Sequence, residues 1–135
     1  MILRSLVTAR YSILGIVEND VCEADSFISD GEDDEKACRN GLRMKLRYIA
    51  DNGLHGVSDK WSHEVDKKNQ IYELIHGVLR LFYFKGVNGQ IAICTGGVRK
   101  KGRKADPKCV GKAIRMKRDY FFAVESRTLT QEEES

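Results

Sequence analysis

An α+β fold is predicted for this chain, with helices gathered on one face of a small antiparallel sheet. Three observations predict it. Three strand-like runs follow one another between residues 70 and 95, joined by glycine-containing turns. An amphipathic helical stripe precedes them, and an Asp-Pro pair opens a helix after them.

In chain order, residues 10–17 (RYSILGIV) read as a strand with at least one buried face. A short helix is expected around Cys22 to Ile28, then a loop at Asp30-Gly31. In the next segment Cys38, Leu42, Leu46 and Ile49 recur at spacings of four and three, which is one helical stripe, with Arg39, Arg43 and Arg47 on another face. Asp33 or Asp34 can cap this helix, and Asn52-Gly53 ends it. Residues 53–69 show no period and read as a loop anchored by Trp61.

Gln70 to Ile75, Val78 to Phe84 and Gln90 to Thr95 are rich in Ile, Val, Phe and Tyr. The turns between them, at His76-Gly77 and Gly86–Gly89, make the block a three-stranded meander. After Gly96-Gly97 a basic run leads into a helix with Asp106 as N-cap and Pro107 at its first position. Val110, Ala113, Ile114 and Phe121 are its expected apolar face, and Lys108, Lys112 and Arg115 its basic one. Residues 1–125 form a single domain in this reading, and 126–135 an acidic, frayed tail.

A chain of 135 residues can bury most of its surface around one core. No run of 18 apolar residues exists, so no membrane partner or span is expected, and the first residues lack a signal-peptide pattern. Cys22, Cys38, Cys94 and Cys109 have no metal-ligand spacing. They read as reduced, buried thiols of a cytoplasmic protein, with disulfides as the alternative. No metal and no cofactor is expected.

The net charge of +3 conceals an asymmetry. Residues 18–35 carry nine acidic side chains and no basic one, whereas residues 67–120 carry fourteen Lys or Arg against three acids. Concentrated positive charge attracts phosphate polymers. The plainer alternative is a solvated surface of scattered ion pairs. The acidic stretch can also neutralise part of the basic surface from within the chain.

The element order, with Ile71-Tyr72-Glu73-Leu74 followed by Leu79-Arg80-Leu81-Phe82-Tyr83-Phe84, resembles the RelE/ParE toxin superfamily, and within it the phage-derived HigB-like branch. The segment Val98-Arg99-Lys100-Lys101-Gly102-Arg103-Lys104-Ala105-Asp106-Pro107 resembles that branch's lysine-containing loop and Pro-initiated basic helix. The resemblance spans residues 10–122, and its specific part is 70–115. It implies a RelE-like fold and the toxin of a type II toxin-antitoxin system. That toxin is a hydrolase, a metal-independent endoribonuclease cleaving mRNA with or on the ribosome, held inactive by a cognate antitoxin protein. One departure is that no tyrosine stands near the start of the last helix, since Tyr120 lies too far along.

RNA cleavage without a metal needs a base for the 2′-hydroxyl, stabilisation of the phosphorane and a proton for the leaving 5′-oxygen. Arg80 is the first candidate, because strand alternation sets its charge among Val78, Phe82 and Phe84. The alternative is a structural pair with Glu73. Lys101, Arg103 and Tyr83 complete the catalytic candidates that the resemblance implies. Arg99, Lys100, Lys104 and Lys108 are candidate RNA contacts around a helix N-terminus, with Lys67, Lys68 and Lys85 as backbone contacts. Histidine is a residue type suited to proton transfer, but His63 and His76 match no motif position. Two other functions fit the same fold: a ParE-like topoisomerase inhibitor, and a nucleic-acid-binding phage regulator without catalysis.

Overall fold

The computed structural model describes residues 1–29, 36–100 and 104–132. Lys101, Arg103 and the proposed caps Asp33 and Asp34 lie outside the described residues. The elements are β1 (Ile2–Thr8), β2 (Ser12–Glu18), β3 (Val21–Cys22), α1 (Glu23–Ser29), α2 (Lys36–Asn52), β4 (Ser62–Asp66), β5 (Ile71–His76), β6 (Leu79–Phe84), β7 (Gln90–Arg99), α3 (Pro107–Ser126) and β8 (Thr130–Gln131).

The α+β class holds, but the sheet is mixed and covered on both faces. Its order is β4-β5-β6-β7-β2-β1-β8, with β3 also paired to β2. β5, β6 and β7 form the expected antiparallel meander, while β2 runs parallel to β7 and β8 parallel to β1. Helices α1 and α2 lie on one face, over Ile13, Leu74, Leu79, Leu81, Tyr83 and Cys94. Helix α3 lies on the other, over Leu14, Ile71, Phe82, Phe84 and Ile93. Helices on a single face would leave this second apolar set in water, which the hydrophobic effect opposes.

The turns follow their local chemistry. Asn88 (φ 51°) and Gly89 (φ 81°) are the two left-handed residues of the β6–β7 connection, a conformation that Asn-Gly adopts readily. Asp106 accepts hydrogen bonds from the backbone N–H groups of Lys108 and Cys109, so the Asp-Pro start of α3 is as expected. Helix α2 closes at Gly53, whose N–H donates to Ile49 O at 2.7 Å. Gly41, inside α2, lets the His76 ring come so close that a Cβ there would collide with it.

Several expectations are corrected. Strand β1 and strand β4 stand where no strand and a loop are expected. Strand β7 runs on through Gly96-Gly97 to Arg99, with an extra residue at Thr95 that bends it away from β2 after the Gly15–Cys94 pair. The buried side of α3 is Ala113, Met116, Tyr120 and Ala123, whereas Phe121 is exposed. Tyr120 accepts from Val87 N–H at 3.1 Å and donates to Gln90 Oε1 at 2.5 Å, tying α3 to the β6–β7 turn. The expected fraying after Glu125 does not extend through β8. Thr130 and Glu132 donate to Met1 and Leu3 carbonyls, and Arg4 binds Glu132. The four cysteines are free thiols.

Candidate functional site

Strand alternation and register bring three ionisable side chains together on the α3 face. His63 pairs with Glu73 across β4 and β5, and Glu73 pairs with Phe82 across β5 and β6. Arg80 stands two residues before Phe82, so it meets Glu73 on the diagonal. Glu73 Oε1 lies 3.5 Å from His63 Nε2 and 3.8 Å from Arg80 Nε. Glu73 is 2% exposed and Arg80 8%, whereas the His63 side chain is 36% exposed. The cluster therefore opens to solvent at the edge strand.

Its electrostatics are set by burial first. Desolvation pushes the Glu73 carboxyl above its ordinary range, and the charges of His63, Arg80 and Lys100 pull it back. Arg80 Nη1 also donates to the carbonyls of Gly77 (2.6 Å) and Leu79 (3.1 Å), which fixes the guanidinium. Arg80 is buried among apolar residues, as strand alternation predicts, and it also makes the pair with Glu73 that is the structural alternative to a catalytic role. Thus the charge is compensated without being withdrawn from its neighbours.

The outgoing end of β7 joins this group. Arg80 is opposite Val98, and Lys100 N–H donates to Val78 O at 2.7 Å. Cys109, in the first turn of α3, is near enough that Lys100 and Glu73 both act on its thiol; burial is the larger effect and pushes that thiol up. Lys100 and the start of α3 thus border the Glu73–Arg80 pair. Arg99 pairs with Leu79 and so belongs to the opposite face.

Tyr83 is not part of this group. It lies on the α2 side, 3% exposed, with its hydroxyl 2.5 Å from Ser62 Oγ and its ring stacked on Tyr72. Burial pushes its phenol up to about 12. Lys85, at the end of β6, lies over the Tyr72 ring on that same side. Lys67 and Lys68 are exposed in the β4–β5 turn, and Lys104 and Lys108 are exposed before and within the start of α3. The structure thus unites Arg80 and Lys100 and separates both from Tyr83 and Lys85.

The acidic N-terminal stretch does meet the basic face of α3. Glu18 forms a two-pronged pair with Arg115, both contacts at 3.0 Å, and Glu23 pairs with Lys112. The Arg115 bond holds the Glu18 carboxyl below its usual range. His63 and Glu73 are the residues that sequence reasoning undervalued. Their meeting depends on the register of β4 against β5, for which a five-residue polar run such as SHEVD gives no signal. Among the described residues no group of three His, Cys, Asp or Glu side chains is placed to hold a metal ion. No helix among the described residues is long and apolar enough to cross a membrane. No protein family matches the chain, and no curated protein sequence matches it.

Proposed function

We propose that this chain is a toxin-type endoribonuclease of RelE-like architecture, cutting mRNA at the His63–Glu73–Arg80 cluster. The observation that supports it is a buried carboxylate held between an arginine and a solvent-reachable histidine, beside the lysine that leads into a basic segment. In the proposed reaction His63 takes the proton from a ribose 2′-hydroxyl, and Glu73 stabilises the resulting imidazolium. The 2′-oxygen bonds to phosphorus and the P–O5′ bond breaks, leaving a 2′,3′-cyclic phosphate; the departing 5′-oxygen takes a proton from water. Arg80 and Lys100 offset the charge that builds on the phosphorane oxygens.

Lys67, Lys68, Lys104 and Lys108 serve as phosphate contacts along the strand in this reading. Cytoplasmic action on the ribosome belongs to the same proposal. So does restraint by an antitoxin whose acidic segment covers the basic surface. The experiment is cleavage of end-labelled mRNA, free and on programmed ribosomes. Wild type is expected to give cyclic-phosphate ends. His63→Ala and Arg80→Ala should each lower the rate by about 10²-fold or more, the usual weight of a lost acid-base or charge-stabilising group, with circular dichroism unchanged. Full activity in both folded variants, or no cut by wild type at any codon, defeats the proposal.

A further inference from the structure

Beside the β4 edge lies a cavity that shares only His63 with the cleavage cluster. It measures about 290 Å³ and lies between the loop after α2 and strands β4, β5 and β6. Small-molecule pockets begin at about 300 Å³, so this one is of a size for a single nucleobase or nucleoside. Leu54, Val57 and the Tyr72 ring give it apolar walls, while Asp59, Glu64 and Lys85 bring charge to its lining. His63 also borders it, because β4 is the edge strand and carries Ser62 and Glu64 on one face and His63 on the other.

The geometry points to a binding site for one guanine base of an RNA strand that crosses the β4 edge, with its phosphate at His63. This rests on the RNA-cleaving reading above. Guanine presents adjacent N1–H and N2–H donors, which one carboxylate can accept together. Adenine presents an unprotonated N1 beside its amino group, and that lone pair faces a carboxylate unfavourably. Cytosine and uracil each offer a single donor on that edge. Glu64, on the β4 wall of the cavity, is the carboxylate assigned that role. Glu64 stands opposite Tyr72 across β4 and β5, and burial, followed by that carboxylate, pushes the Tyr72 phenol up, so Tyr72 stays protonated beside Glu64.

Lys85 supplies the complementary half. Its ammonium is 4.9 Å from the Tyr72 ring centroid, a cation–π contact that keeps it at the cavity. From there it can donate to guanine O6, which adenine lacks. The Ser62 and Tyr83 hydroxyls, bonded to each other at 2.5 Å, form a neutral polar patch on the cavity wall. Recognition of an unstacked base by its Watson–Crick edge against aromatic walls is the usual mode for single-stranded RNA. Tyr83 then takes part in base selection, on the face opposite the reacting phosphate.

The test is titration of the full chain with the four ribonucleoside 5′-monophosphates, followed by NMR shifts of residues lining the cavity. GMP should bind at least about tenfold more tightly than AMP, CMP or UMP, and Glu64→Gln should remove that preference while its circular dichroism stays unchanged. Equal affinity for all four, or a guanine preference that survives Glu64→Gln, overturns the inference. The two readings fail separately. GMP preference without RNA cleavage keeps the base site and discards the nuclease. Cleavage with no guanine beside the cut keeps the nuclease and discards the base site.

Discussion

On the α2 side β6 presents Leu79, Leu81 and Tyr83, whereas on the α3 side the same strand presents Arg80, Phe82 and Phe84. Two helices cover Leu79 and Leu81 of the first set, and the Tyr83 hydroxyl, at the cavity wall, is bonded to the neutral Ser62 hydroxyl. The second set lies under a single helix that starts only at Pro107, and near that start it carries an ion pair. The difference teaches that this sheet tolerates charge where its helical cover begins, and there the charges remain within reach of solvent through His63. A buried carboxylate is costly, so its retention at Glu73 calls for a compensating cation, which Arg80 supplies.

The largest expected effect tests whether the α3 face is a core at all. Phe84→Ala removes a fully buried ring that packs edge-on against Tyr120, and should cost about 3–5 kcal/mol in urea unfolding. A loss below 1 kcal/mol would mean that α3 is loosely docked and the two faces are not comparable. The ion pair comes next. Arg80→Met should destabilise by about 1–3 kcal/mol, because it leaves Glu73 buried with weaker compensation. Adding Glu73→Leu should return most of that loss, since replacing a whole buried pair by apolar groups is often neutral. If the double variant is no more stable than the single one, the pair is not the reason for the charge at this position.

Those two sites also show how much of the molecule was legible. The meander, the Asn88-Gly89 turn and the Asp106 cap follow from local chemistry and stand as expected. Strand β1 escaped because Arg4 interrupts its apolar pattern, and the partners of Arg4 are Asp25 and Glu132, 21 and 128 residues away. Strand β4 escaped because SHEVD is polar and half-buried throughout. Alternation along β6 placed Arg80 correctly and was enough to put Tyr83 on the other face. Grouping the two followed motif spacing instead. The His63–Glu73 contact needed a tertiary register, which no single segment encodes.

The smallest expected effect sharpens the α2 side. Tyr83→Phe removes the hydroxyl bonded to Ser62 and should cost about 0.5–1.5 kcal/mol. Tyr83 also predicts a pH dependence. Its phenol rises from the ordinary 10 to about 12 on folding. Between those values the folded state therefore holds a proton that the unfolded state has released, and stability is fully present below pH 10 and falls as pH rises toward 12. Urea midpoints across that window should fall less steeply in Tyr83→Phe than in wild type. Equal slopes would show that Tyr83 ionises freely and that the α2 side is open.

The pairing of β8 with β1 has a consequence for how this chain can be joined to anything else. Met1 and Thr130 are hydrogen-bonded neighbours, so polypeptide added at either end departs from the same margin of the sheet. That margin is six strand spacings from β4, about 29 Å at the usual inter-strand distance. A tag, surface tether or fused module at either end would therefore leave the His63 margin uncovered, and linking Met1 to the β8 end is a natural route to a circularly permuted chain.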